Sequence, residues 1–250
     1  MASAVNKSRL LTGLGVLTLV SFVAIQISGF VLSPPDRGMG HLQKIMYVHV
    51  PAAWSAFIAF TIVFAGSALY LWRRDEKWDM LGAAAAEVGT FMTALTLLLG
   101  SIWGRPTWGV WWTWDPRLTT TAILLMIFAG YLALRSFTED ADRRATWSAA
   151  IGILGFVNVP IVYMSVRWWR TLHQVQSDTR SLDPLYLKFL ALNGLVFMLA
   201  TVWFIGRSYT AARLERAVEA KIENEAFEAL LRTHASEARI RRIEEAVNVG

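Results

Sequence analysis

Trp103-Gly-Arg-Pro-Thr-Trp108-Gly-Val-Trp111-Trp112-Thr-Trp114-Asp115-Pro-Arg117-Leu-Thr-Thr120 lies between two long apolar runs. Five of its eighteen residues are tryptophan, against twelve in the whole chain, so the aromatic density is local. Gly104, Pro106, Gly109 and Pro116 interrupt the stretch, and one regular helix cannot run through it. The flanking runs, about 20 residues each, are long enough to cross a bilayer. The stretch therefore connects two membrane spans at one face. An indole at such a face has a broad apolar surface and one N–H that seeks a wet partner. A belt of interfacial anchors uses one or two tryptophans per helix end. Five of them, with Arg105, Asp115 and Arg117 interleaved, describe a shaped aromatic platform with charged edges.

The same pattern of apolar runs extends in both directions. The chain has 250 residues, 55% hydrophobic, and a mean hydropathy of +0.41. The runs predict an all-α polytopic membrane protein with six transmembrane helices. Leu11–Leu32 is uncharged and is followed by no small-x-small cleavage pattern, so it reads as a retained first span and not a signal peptide. A polar loop, 33–47, leads to a second span from Val48 to Trp72. His49 and Pro51 fall in its first turn, where a missing N–H costs little. The third span is Met80–Ile102 and the fourth is Leu118–Leu134. The fifth is Trp147–Val166, with Asn158 and Pro160 predicting a kink. The sixth is Leu185–Ile205. Residues 1–206 thus form the membrane domain. Residues 207–250 form a charged cytoplasmic C-terminal helix, in which Leu214, Val218, Ile222, Leu230, Leu231, Ile240 and Ile243 sit among eight acidic and eight basic residues. This tail reads either as a solvated helix or as a docking surface for a cytoplasmic partner.

Of the 24 lysines and arginines, sixteen fall on the side of the termini and eight on the other; without the tail the two sides are even. The rule for basic loops then places both termini in the cytoplasm, and an even number of spans agrees. The tryptophan stretch, His41, His49 and His173 come to the outer side. Glu87 lies among alanines in the third span, near its charged end, and snorkelling or a partner helix accounts for it.

The net charge of +5 does not indicate nucleic acid, because the basic residues flank spans and no binding motif is present. With no cysteine, disulfides, thiolate metal sites and thioether attachment of haem are excluded. No catalytic constellation stands out. Among the four histidines, His234 belongs to the tail, and His41 sits in a loop beside Gly40. His49 and His173 flank the tryptophans. Taken singly, interfacial histidines are most often hydrogen-bonded polar tips. Taken together, two imidazoles can hold one haem iron from opposite faces, tryptophan suits the macrocycle, and arginine or lysine suits its propionates. The alternative is a small-molecule membrane transporter or channel subunit without haem. It would want polar residues in several spans, and few occur besides Glu87 and Asn158.

Trp108-Gly-Val-Trp-Trp-Thr-Trp-Asp-Pro-Arg-Leu-Thr119 resembles the signature of the tryptophan-rich (WWD) haem-handling membrane proteins. Tyr47-Val-His-Val-Pro-Ala-Ala-Trp54 and Arg167-Trp-Trp-Arg-Thr-Leu-His-Gln174 resemble, within them, the haem exporter protein C (CcmC) family of bacterial cytochrome c maturation. The resemblance spans residues 40–205. It implies axial ligation of haem iron by His49 and His173. It implies a haem platform of Trp103, Trp108, Trp111, Trp112, Trp114, Asp115 and Arg117, with Lys44 near the propionates. It further implies non-covalent haem b at the periplasmic face of the bacterial inner membrane, delivered to the haem chaperone CcmE. The ABC transporter subunits CcmA and CcmB and the small membrane protein CcmD would be the other partners. The charged tail has no counterpart in that pattern.

Overall fold

A computed structural model describes residues 2–173 and 183–248, with side chains described over 9–173 and 183–237. Its helices are α1 (Ala2–Leu32), α2 (Met46–Arg73), α3 (Glu76–Trp108), α4 (Pro116–Phe137), α5 (Ala141–Phe156), α6 (Asn158–Trp168) and α7 (Pro184–Asn248). A short 3-10 helix, His41–Ile45, leads into α2, and no strand occurs among the described residues. Among the described residues, six helical stretches are long and apolar enough to cross a membrane, α5 and α6 together forming one. The fold is thus the six-span helical bundle that the apolar runs predict.

The kink expected at Asn158 and Pro160 is present. Pro160 offers no N–H to the Phe156 carbonyl, and the helix breaks between α5 and α6 at Val157. Asn158 uses the break to donate its side-chain amide to the Thr120 carbonyl of α4, at 2.8 Å. Two boundaries differ from the sequence reading. The second helix begins at Met46, so Pro51 lies in its second turn and not its first, fully buried. The third helix continues past Ile102 and carries Trp103 and Trp108 on its last turns, Pro106 included.

α2, α3, α4, α6 and α7 share one apolar core. Ala52, Ala56 and Ala59 keep α2 slim, and a side chain on Gly66 would fall 2.9 Å from the Trp78 carbonyl of α3. Phe60 stacks on Phe128 at 3.8 Å, in space that Gly89 leaves open. Small residues at helix contacts suit a bilayer, where close backbone approach and dispersion replace the hydrophobic drive between helices. At the end opposite the tryptophans, Arg135 holds Asp79 through two hydrogen bonds, 2.6 and 2.9 Å. Glu87 accepts from the Ser208 hydroxyl of α7, so a partner helix accounts for it.

α1 is attached differently. Only 6% of its apolar window is buried. Phe22 reaches the core and meets Phe197 of α7 at 5.8 Å, and polar contacts add to that hold. Trp203 Nε1 donates to the Leu11 carbonyl at 2.8 Å, its ring lying against Gly15. Gln26 donates to Asn193 at 2.6 Å, and Ser33 meets the Tyr47 hydroxyl at 2.7 Å.

The compact membrane unit runs from Met1 to Tyr209, and the tail from Thr210 is a second unit. Within the tail, Leu214, Val218, Ile222, Leu230 and Leu231 are exposed. Arg216–Glu219, Lys221–Glu225 and Glu228–Arg232 pair along the helix. The side chains of Ile240 and Ile243 lie outside the described residues.

Candidate functional site

The start of α2, the end of α3, the start of α4 and the segment after α6 meet at one end of the bundle. α3 stops at Gly109, whose φ of 81° is the left-handed conformation that glycine adopts freely, and whose N–H returns to the Arg105 carbonyl. The chain then turns through Val110–Trp114. Asp115 restarts it as the cap of α4, its Oδ1 accepting the Arg117 N–H at 2.9 Å, with Pro116 in the first helical position.

This short connection leaves Trp111, Trp112 and Trp114 on the surface, at 59%, 36% and 79% exposure. Trp112 and Trp114 meet edge to face at 5.7 Å. Trp168 and Trp169 add a second exposed pair after α6. Trp103 and Trp108 point the other way, into the bundle end, and each carries one histidine. His49 stands edge-on to Trp103 at 5.8 Å, and His173 edge-on to Trp108 at 4.9 Å. The two imidazoles are within electrostatic reach of each other, and both are within reach of Arg117. Residues separated by 124 positions in sequence are therefore gathered at one place.

Asp115 does more than cap a helix. Its carboxylate is almost fully buried, 3.4 Å from His173 Nδ1. Its Oδ2 accepts the Leu172 N–H at 2.7 Å. Burial opposes its charge, but the Thr171 hydroxyl and the Leu172 and Arg117 N–H groups outweigh that and hold its pKa below the ordinary 3.8. At His173 burial wins: with the nearby Arg117 charge it depresses the imidazole from 6.5 to about 4, although Asp115 pulls the other way. The ring is thus neutral at physiological pH, the form in which a ring nitrogen binds a metal.

The polar atoms left over indicate what could fit. Among the described residues, His49 Nδ1, His173 Nδ1, Trp103 Nε1 and one terminal nitrogen of Arg117 are buried without a hydrogen-bond partner. Such atoms are costly unless something meets them. No group of three or more metal-ligating His, Cys, Asp or Glu occurs among the described residues. Two imidazoles alone suit a metal that brings its remaining donors with it, as haem iron does.

Lys44, also expected at the site, and the other two histidines have surroundings of their own. Lys44 is buried against α1, its ammonium on the Phe30 carbonyl at 2.6 Å and over the Phe30 ring. His41 is exposed at the start of the 3-10 helix. His234 is exposed in the tail and lies 3.7 Å from Glu237. Sequence reasoning did not identify Gly100 and Gly104, which make room for His49 and Trp108. Their spacing of four on the last turns of α3 was the available signal. Nothing in the sequence marked Thr171 and Leu172 as partners of Asp115.

Comparison with known proteins identifies relatives over most of the chain. The family model described as Heme exporter protein C matches residues 3–228. Among curated proteins, Heme exporter protein C of Bradyrhizobium diazoefficiens is 38% identical over 200 residues, 78% of this chain and 75% of that one. A putative cytochrome c biosynthesis ccmC-like mitochondrial protein of Marchantia polymorpha is 35% identical, covering 75% and 84%. Heme exporter protein C of Escherichia coli K12 is 36% identical over 173 residues, covering 67% and 70%.

Proposed function

The chain belongs to the haem exporter protein C family, and we propose that it holds haem at the outer face of the membrane and passes it to a chaperone during cytochrome c maturation. His49 and His173 are the axial ligands in this reading. The observation that carries it is their convergence: two histidines from distant segments, each edge-on to a tryptophan, within reach of one another and of a buried arginine. Haem is the cargo, and Trp103 Nε1 and one terminal nitrogen of Arg117, buried without partners among the described residues, give it places to be met. The Nδ1 edge of His173 faces Asp115 and that of His49 faces α3, which leaves Nε2 of each for iron. Arg117 can meet a propionate with its unpartnered nitrogen.

Delivery draws on the exposed surface. Trp111, Trp112 and Trp114 offer stacking area outside the bundle, so a haem edge held there remains accessible to a second protein. The chaperone is CcmE in this reading, and the ABC subunits CcmA and CcmB with CcmD complete the assembly in a bacterial inner membrane. The termini are cytoplasmic and the tryptophans periplasmic. Binding is non-covalent, since the chain has no cysteine for thioether bonds. Haem b is the form expected. Asn158, Gln26 with Asn193, and Glu87 with Ser208, the polar groups that a transporter would present to its solute, are engaged within the bundle.

The test is the visible spectrum of the protein purified from membranes, together with the identity of what co-purifies. A Soret band of bis-histidine character, lost in His49→Ala/His173→Ala, supports haem holding. An unchanged spectrum in that double variant removes the ligation.

A further inference from the structure

Two glycines one turn apart lie under the site. A Cβ placed on Gly100 would fall 3.1 Å from His49 Cε1 and 3.7 Å from its Nδ1. A Cβ on Gly104 would fall 3.1 and 3.3 Å from two atoms of the Trp108 ring, Cε3 and Cζ3. Trp108 in turn abuts His173 at 4.9 Å. By contrast, a Cβ on Gly130, on the neighbouring α4, would meet nothing within 4 Å. The two glycines are therefore occupied notches, one beneath each half of the site.

We infer that Gly100 and Gly104 are positioning residues, a pair of notches in α3 that set where His49 and, through Trp108, His173 stand relative to one another. This rests on the haem-holding reading for its purpose, though the seating itself is a property of the chain alone. Two ligands to one iron must be placed to within a few tenths of an ångström, and they hold that placement only if their supports are rigid. Gly100 seats its imidazole directly on the helix backbone, beside the Thr96 carbonyl. Gly104 acts at one remove, because Trp108 folds back over it and presents its ring to His173. A methyl group at either position sits tighter than ordinary contact, so the ring above it must give by a few tenths of an ångström. The rule of four in helix geometry places both notches on the same face, so a single rigid element references both ligands.

The test reads the two histidines separately. Gly100→Ala, Gly104→Ala and the control Gly130→Ala are each prepared haem-free and labelled with diethylpyrocarbonate, and the modified peptides are quantified by mass. Gly100→Ala is expected to raise the labelling rate of His49 at least threefold and leave His173 unchanged; Gly104→Ala is expected to do the reverse. Haem-loaded samples add a spectroscopic reading. Gly100→Ala should lose low-spin character and regain it on adding free imidazole. Labelling that stays at the Gly130→Ala level, or rises equally at both histidines, overturns the inference. If Gly100→Ala does not fold, His49→Ala/Gly100→Ala must recover folded yield, since the clash is gone; failure to recover also overturns it. Wild-type protein that takes up no haem would defeat the proposed function and leave the labelling result to judge the notches.

Discussion

One carboxylate oxygen of Asp115 stands 3.4 Å from His173 Nδ1, while the other accepts the Leu172 N–H at 2.7 Å. The residue that starts α4 thus fixes the segment carrying the histidine beyond α6. Two elements adjacent in space but distant in sequence share a single side chain. The behaviour of that side chain separates a helix cap from a part of the site.

Asp115→Ala removes the cap, at about 1 kcal/mol, and leaves the Leu172 N–H and Thr171 hydroxyl without their acceptor, at about 1–3 kcal/mol more. Asp115→Asn keeps a capping oxygen and should retain most of the thermal stability. Haem should persist in both, because the axial imidazoles dominate retention. Transfer to the chaperone per folded molecule should fall in Asp115→Ala, where the His173 segment is released. Haem occupancy, folded yield and chaperone loading are measured on one preparation. Equal transfer per folded molecule in all three proteins would leave Asp115 as structure only.

The histidines should divide by position. His49→Ala and His173→Ala are each expected to lower bound haem several-fold and abolish chaperone loading. His41→Ala and His234→Ala should match wild type, since both side chains are exposed and neither is buried among the site residues. Haem per protein, from absorbance and mass, is the measurement.

Acid should loosen the haem-free fold in a definite window. The folded pKa of His173 is depressed from 6.5 to about 4. Above pH 6.5 neither folded nor unfolded chain is protonated there, and the full stability is present. Between 6.5 and about 4 only the unfolded chain takes up the proton, so stability falls as pH falls. The complete loss is on the order of 3 kcal/mol. Asp115, whose pKa is also depressed, adds a loss in the same direction below its ordinary 3.8. Melting temperature against pH should therefore drop through this window, and His173→Gln should flatten it. A profile unaltered by that substitution would sever the link to His173.

The ion pair at the opposite end is set for a stability test. Asp79 and Arg135 are largely buried and joined twice. Asp79→Ala should cost about 3–5 kcal/mol, because it strands the guanidinium. Asp79→Leu/Arg135→Leu should cost less than the single change. Thermal unfolding in detergent compares them, and additive losses would show that the pair is not coupled.

Orientation is testable by fusion. A reporter active only outside the cytoplasm should be active after Pro116 and inactive after Lys77 and after Asp140. The reverse pattern would put the tryptophans on the wrong side for delivery.

The helical bundle was readable because a 20-residue apolar run has few other fates. The break at Val157 was readable because Pro160 lacks a donor that any continuous helix needs. The end of α3 was not. The apolar run stops at Ile102, yet the helix continues through Pro106 and ends at Gly109. Proline removes one hydrogen bond, whereas only glycine takes the left-handed turn easily, so the glycine set the boundary. The histidines and tryptophans were legible from residue type and spacing. Their supports were not: Leu172 serves through its backbone, and Gly100 and Gly104 serve by having no side chain. Lys44 shows the converse. The resemblance implied a place near the propionates, and burial against the end of α1 gives its ammonium a carbonyl partner that the sequence did not indicate.

The bond from Trp203 to the Leu11 carbonyl joins residues 192 positions apart. During synthesis Leu11 emerges long before Trp203 exists, so α1 must wait in the lipid while five further spans are made. Its nearly bare apolar surface suits that wait, since it needs no protein neighbour to be stable in a bilayer. Gln26, whose partner Asn193 lies on α7, stays unpaired until the last span arrives. Assembly therefore closes like a clasp at its final step, and a chain stalled before α7 displays an unpaired amide to whatever surveys unfinished membrane proteins.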